Sequence, residues 1–131
     1  MIKNDKLDVI FKLQGMLDED IIKNRNLSFS KEEWMQKKIL ATLSELSELL
    51  AEVNFKWWKN KKELNFDNIS EELTDILHFF VSMCLTAGLT ADGLFEKYKS
   101  KNKENFDRQY GLSEKKGYEF KDSLNSSERP T

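Results

Sequence analysis

Glu45-Leu46-Ser47-Glu48 and, after a break in the helical pattern, Glu71-Glu72-Leu73-Thr74-Asp75-Ile76-Leu77-His78-Phe79-Phe80 decide the fold. In an α-helix, residues three apart lie on one face a turn from each other, so Glu45 with Glu48, and Glu72 with Asp75, each form a two-carboxylate clamp. Two such helices packed with their clamps facing make a carboxylate cage. With no His or Cys pair at ligand spacing, that cage suits a hard ion taking oxygen ligands, Mg2+ first and Mn2+ second, rather than zinc. The competing reading is a solvated face, since 34% of the chain is charged and Glu-x-x-Glu arises easily on such a surface.

Apolar periodicity weighs the two readings. Ile39, Leu43, Leu46, Leu50 and Val53 form one arc of a helical wheel, and Glu45 borders it on the flank that continues through Glu52 to Glu48. The next helix is apolar nearly all round beyond Asp75, through Ile76, Leu77, Phe79, Phe80, Val81, Met83, Cys84 and Leu85, as expected for the central helix of a bundle or for an interface. Glu72 and Asp75 project from it on either side of Phe79, where ionised acids are costly to bury without a cation. Glu71 lies farther round and reads as solvated. The second clamp is therefore the stronger argument for a metal.

Working outward, the same helical period runs almost everywhere, and the chain has a single Pro and five Gly to break it. The expected fold is all-α, a four- to five-helix bundle. A first helix spans about residues 5 to 23 with Asp5 as N-cap. Ser30-Lys31-Glu32-Glu33 reads as a capping box opening a second, Asn68-Ile69-Ser70-Glu71 as the cap of a third that stops at Gly88, and Thr90 as the cap of a fourth. Residues 1–120 are expected to form one domain and residues 121–131, rich in Ser, a disordered tail.

Composition narrows the function classes. With 39% hydrophobic residues, nine Phe and three Trp, the chain of 131 residues can fold without disulfides. Its one Cys, Cys84, excludes an intramolecular disulfide and fits a reducing cytoplasm. No stretch reaches the length of a membrane span, the first residues lack the pattern of a signal peptide, and a net charge of -2 offers no field for a nucleic-acid polymer.

Several residues outside the cage are candidates for ligand contact. Gln14 lies on the apolar stripe of the first helix, either reaching water at its edge or lining a pocket as an amide with both a donor and an acceptor. Phe55-Lys56-Trp57-Trp58-Lys59-Asn60-Lys61-Lys62 mixes aromatics with cations, either a loop pinned by its rings or a lid offering an aromatic plane to a base and ammonium groups to phosphates. His78, the one His, is either hydrogen-bonded to a neighbouring carboxylate or placed to bond a substrate. On the fourth helix the stripe of Leu94 and Tyr98 continues as Lys101, Asn105 and Arg108, suited to phosphate contacts or simply leaving the core.

These motifs resemble the all-α nucleoside triphosphate pyrophosphohydrolases, a MazG-like superfamily with Glu-x-x-Glu on one helix and Glu-x-x-Asp on the next. Within it the chain is most similar to the dimeric dUTPases, over about residues 7 to 118. The likeness is carried by Leu13-Gln14 with Asp18, Phe55-Lys56 with Trp58, Glu71-Glu72 to Asp75 with His78-Phe79, and Lys101-Asn102 with Asn105 and Arg108-Gln109. The resemblance implies a homodimer that hydrolyses dUTP to dUMP and pyrophosphate, with Mg2+ held by Glu45, Glu48, Glu72 and Asp75. It implies Glu45 or Glu48 as the group that deprotonates water, Gln14 and Trp58 at the uracil, His78 and Phe79 at the deoxyribose, and Lys56, Lys101, Asn105 and Arg108 on the phosphates. Lys115-Lys116-Gly117-Tyr118 matches the family's C-terminal basic motif only in part. Rival readings are a related pyrophosphohydrolase for dCTP or a broader set of nucleotides, and a non-catalytic helical dimer.

Overall fold

The computed structural model describes residues 5–121. Four helices run α1 Lys6–Asn24, α2 Lys31–Glu52, α3 Phe66–Thr86 and α4 Ala91–Gln109, with no strand among the described residues. The all-α expectation holds, with four helices. None of them is long and apolar enough to cross a membrane. The chain divides into two compact units, Met1–Ala91 carrying α1 to α3 and Asp92–Thr131 carrying α4. Of the expected tail, residues 121–131, all but residue 121 lies outside the described residues.

Local chemistry sets the helix ends. Asp5 caps α1 by accepting from the Asp8 N–H at 2.9 Å. Ser30 Oγ caps α2 by accepting from the Glu33 N–H at 3.1 Å, and Phe29, just before the cap, stacks edge-on against Trp34 with ring centroids 5.0 Å apart. The Glu33 carboxylate meets the Ser30 hydroxyl, at 3.3 Å, rather than the backbone N–H that a full capping box would use, and the Phe29–Trp34 pair forms a hydrophobic staple that fixes the angle at which the chain enters α2. The third helix starts earlier than expected: Asn65, not Asn68, is its cap, and Asn65 Oδ1 accepts from the Asn68 N–H at 3.1 Å. Two Asn three residues apart both offer a cap, and the earlier one adds a turn that carries Asp67 near the helix's positive end.

Two C-termini close alike. After α1, Asn26 takes φ 53°, and the Leu27 and Asn26 N–H groups return to Ile22 and Lys23 carbonyls. After α3, Gly88 takes φ 82°, and the Leu89 and Gly88 N–H groups return to Cys84 and Leu85 carbonyls. Each pair of bonds satisfies carbonyls the helix leaves open.

Within the first unit α3 packs on both α2 and α1. Polar contacts give the directions. Residues 14 and 18 of α1 meet 78 and 82 of α3, so these helices run parallel. Lys38 near the start of α2 meets Ser82 and Thr86 near the end of α3, so those two run antiparallel. Phe11, Val81, Cys84 and Ala91 are the buried hydrophobics, and α2 buries none of its side chains fully. Of the two readings of α3, a helix buried in its own bundle or an interface, the first is corrected for the single chain: Val81 and Cys84 are buried, whereas Leu73, Leu77 and Phe80 are exposed. The arc of α2 behaves alike, with Leu43 55% exposed and Ile39, Leu46, Leu50 and Val53 also open. Three helices present too little surface to enclose apolar residues on every side of α3.

Two glycines separate conformational strain from space. A Cβ added at Gly88 meets nothing within 4 Å, yet its φ of 82° disfavours any L side chain. Gly88→Ala is expected to lower stability by about 1 to 2 kcal/mol. At Gly15, inside α1, a new Cβ makes an ordinary 3.7 Å contact with Leu85 Cδ1. Gly15→Ala is expected to raise stability by about 0.5 to 1 kcal/mol through helix propensity. Urea midpoints of the two variants, moving in opposite directions, check both.

Candidate metal centre and the polar seam beside it

Antiparallel packing of α2 on α3 brings two matching stripes together. Along α2 the residues 38, 41, 45, 48 and 52 share a face, and along α3 so do 72, 75, 79, 82 and 86, each spaced three or four apart. Lys38 meets the far end of the α3 stripe, and the four acids meet at the near end. Glu45, Glu48, Glu72 and Asp75 each bring a carboxylate oxygen within 4.8 Å of the others. Both expected clamps therefore face each other.

The cluster is electrostatically unfinished. Glu45 Oε2 and Glu72 Oε2 are enclosed, and neither has a hydrogen-bond partner. Desolvation, then the neighbouring Glu48, raises the Glu45 carboxyl above the ordinary carboxylate range, and the same two causes push Glu72 up to about 7. Enclosed acceptors without donors are what a cation would satisfy. Donors around one hard ion span about 4 to 5 Å across, given ligand distances of about 2.0 to 2.6 Å, so the observed spacing fits Mg2+, Mn2+ or Ca2+ in size. Four carboxylates without sulfur or imidazole select against soft ions.

One turn along α3 the seam changes character. Phe79, on the same face as Glu72 and Asp75, lines an apolar pocket of about 240 Å3 with Ile22, Trp34 and Ala41, and Asp18, Lys38 and Ser82 line it as well. Beside it runs a chain of polar contacts. Gln14, 6% exposed, approaches His78 Nδ1 with its Oε1 at 2.6 Å and donates from Nε2 to Asp18 Oδ1 at 2.9 Å. Ser82 Oγ donates to Asp18 Oδ2 at 2.7 Å, and Lys38 Nζ stands 3.8 Å from the same oxygen while donating to Thr86 Oγ1 at 2.7 Å. Burial lowers the Lys38 ammonium below its ordinary range, and Asp18 opposes that shift. Gln14 is thus buried and bonded through both amide atoms rather than reaching water, with one amide N–H left over, and the partner of His78 is an amide rather than a carboxylate.

Other expected residues are placed as follows. Lys56 lines a groove of about 560 Å3 with Leu50, Val53, Phe55, Lys59 and Lys62. Asn54 ties this loop shut, its Nδ2 donating to the Lys62 carbonyl at 2.8 Å and its Oδ1 accepting from the Lys62 N–H at 2.9 Å. Trp57 and Trp58 stack edge-on at 4.6 Å, and both are exposed. In the second unit Lys101, Asn105 and Tyr98 are exposed on α4, so Tyr98 does not begin a buried stripe. Arg108 is held by Glu104 at 3.1 Å and lies over the Tyr118 ring at 5.4 Å. Ser113, also bonded to Glu104, and Arg108 together keep the Glu104 carboxyl below its ordinary range.

Lys38, Ser82 and Thr86 were not among the expected residues. Their signal is present in the sequence: Lys38 stands seven residues before Glu45, and Ser82 seven after Asp75, so both continue the stripes that carry the acids.

The raised acids imply a pH signature. With Glu72 at about 7 in the folded chain against an ordinary 4.5, the folded state holds a proton that the unfolded state has already released across that interval. The cluster's contribution to stability is therefore largest below about pH 4.5 and is lost as pH rises to 7. For the metal-free chain the slope of stability between pH 5 and 7.5 is expected to be less favourable than in Glu72→Gln, and added Mg2+ is expected to raise the melting temperature more at pH 7.5 than at pH 5.5. Thermal melts of both proteins, with and without the ion, check this.

With that geometry established, comparison with known proteins is informative. The dUTPase family model matches residues 6–93, which take in α1, α2, α3 and all four acids. A dCTP pyrophosphatase of Enterobacteria phage T4 is 33% identical over 87 residues, 56% of this chain and 51% of that protein. The chain thus spans about half the length of this curated relative. No solved structure matches it. A family match covering most of the chain, and centred on the acid-bearing helices, shows that the protein belongs to the dUTPase family.

Proposed function

We propose that this chain is a nucleoside triphosphate pyrophosphohydrolase that converts dUTP to dUMP and pyrophosphate with Mg2+, or Mn2+ in its place, held by Glu45, Glu48, Glu72 and Asp75. The observation that carries the proposal is the meeting of four carboxylates from two helices with two of their oxygens enclosed and unpartnered. Membership of the dUTPase family supports the reaction class and the uracil nucleotide. Bound there, the ion supplies neutralisation of phosphate charge and acidification of water.

The chain's own residues then divide the work. Glu45 or Glu48 accepts the proton of the attacking water, and Glu45, whose carboxyl is already raised, holds it more readily than an ordinary glutamate. Glu72 and Asp75 act as ligands. Gln14 and Trp58 read and stack the base, and His78 and Phe79 bound the deoxyribose. Lys56 holds phosphate oxygens.

A second reading, dCTP as substrate, is favoured by the relative named a dCTP pyrophosphatase. Both readings share the metal chemistry and differ in the base pocket. A panel of dUTP, dCTP and TTP with Mg2+ separates them: pyrophosphate release is expected to be fastest from dUTP, and equal or faster release from dCTP would assign the second reading. Glu48→Gln is expected to reduce turnover by at least about a hundredfold with the helical circular dichroism unchanged. Near-parental turnover in that variant would leave the acids as a solvated cluster in a non-catalytic module.

The exposed arc of α2 and the open flank of α3 support a homodimer as the working form, since Leu43, Leu46, Leu73 and Leu77 stand uncovered on one chain. Light scattering at micromolar concentration is expected to give twice the mass of one chain, and a monomer would refute the assembly.

A further inference from the structure

The polar contacts beside the carboxylates have a direction, because not every member can donate. Asp18, as a carboxylate, only accepts, so the group of Gln14 that faces it at 2.9 Å is the amide nitrogen. The amide oxygen therefore faces His78 Nδ1 at 2.6 Å, and as an acceptor it requires Nδ1 to carry the proton. In the neutral ring that leaves Nε2 as an acceptor. His78 is exposed, and its Nε2 has no hydrogen-bond partner among the described residues.

The far end of the chain fixes its start. Asp18 Oδ2 receives the Ser82 hydroxyl at 2.7 Å and faces the Lys38 ammonium at 3.8 Å, while Lys38 is itself held by Thr86 at 2.7 Å. Lys38 Nζ also approaches the Ser82 carbonyl at 3.4 Å. Lys38 and Ser82 thus require an acceptor at Oδ2, and Oδ1, the other oxygen of the carboxylate, is the acceptor left for Gln14.

We propose that Lys38 and Asp18 are positioning residues that act through Gln14 to hold His78 as the Nδ1–H tautomer, so that its Nε2 accepts a hydrogen bond from a hydroxyl or imide N–H donor of the nucleotide. The ligand half of this statement rests on the nucleotide reading above; the tautomer half does not. His78 lies one turn beyond Asp75, which puts this acceptor a helical turn from the acids that would hold the ion for the phosphates. A polar relay of this kind orients the ring without touching the reacting atoms.

Asp18→Asn reverses the relay while keeping its shape. Lys38 draws the Asn oxygen toward itself, the Asn amide turns its nitrogen to Gln14, the Gln14 amide flips, and His78 must now accept at Nδ1 and carry its proton on Nε2. Because the chain has one His, its ring nitrogens can be read without assignment in nitrogen-15 correlation spectra of the ligand-free full chain, recorded above the ordinary imidazole titration range. The parent protein is expected to show the Nδ1–H form and Asp18→Asn the Nε2–H form. A parent protein in the Nε2–H form overturns the proposal and needs no variant to do so; an unchanged tautomer in a folded Asp18→Asn also overturns it. Gln14→Met serves as a second variant, with the ring expected to leave the Nδ1–H form.

The ligand half is read separately. In Asp18→Asn, KM for dUTP is expected to rise about tenfold with kcat changed by less than about threefold. In the parent, loss of the same factor for a 3'-deoxy analogue assigns the donor to the sugar hydroxyl, and for an N3-methyl analogue to the base. If neither analogue loses affinity, the ligand half fails while the tautomer result stands. If no nucleotide is hydrolysed at all, the functional reading fails and the spectra still decide the relay.

Discussion

Like-charge crowding at one end of the contact between α2 and α3 is the constraint on which the rest of this structure depends. Antiparallel packing leaves no freedom in where the acids go. Once Lys38 is set against Ser82 and Thr86, the three-and-four spacing carries Glu45 and Glu48 to Glu72 and Asp75. The helices cannot slide to relieve the repulsion without dismantling the other end of the same seam. Their termini are pinned as well: Ser30 and the Phe29–Trp34 pair fix the start of α2, and Asn65 and Gly88 fix both ends of α3. Desolvation first, and the neighbouring Glu48 and its fellow acids next, push Glu72 up to about 7, so the cluster is eased by taking up a proton or a cation.

The buried core is small beside this concentration of polar groups. Phe11, Val81, Cys84 and Ala91 are the fully covered hydrophobics of the first unit, while large side chains along α2 and the flank of α3 remain open. A chain organised for stability alone would close that apolar surface before gathering four acids. The arrangement instead spends its best packing on the interface that aligns the two stripes. It leaves the remaining faces of the same two helices for another surface. Position of the acids and exposure of the leucines thus have one origin, the use of α2 and α3 as a rigid pair with few neighbours.

How much of this was legible in the sequence follows from how local each signal is. The Ser30 cap, the Gly88 stop and the two clamps are set by residues within one or two turns, and each is found where the pattern puts it. The start of α3 was misread because Asn65 and Asn68 carry the same capping chemistry, and only the packed helix chooses between them. Burial was misread for a different reason: periodicity tells which residues share a face, not whether anything covers that face, so Leu43 and Leu77 look like core in the sequence and stand exposed in the chain. Gln14 and His78 were separately visible as polar residues on apolar helices. Their union depends on the parallel register of α1 with α3, an offset of 64 residues in which no local rule operates.

The ion pair of Asp18 with Lys38 gains its meaning from that register. A partly buried pair of this kind seldom stabilises a fold beyond what apolar residues of the same size would do, because both charges lose water. Here desolvation is the dominant effect on Lys38, and the attraction of Asp18 only opposes it. Stability is thus a poor account of why an ammonium and a carboxylate sit where α1, α2 and α3 converge. Direction is a better one. Apolar groups at those positions would let the Gln14 amide turn either way, and with it the ring of His78, whereas a carboxylate held by a hydroxyl and an ammonium admits a single ordering of donors and acceptors.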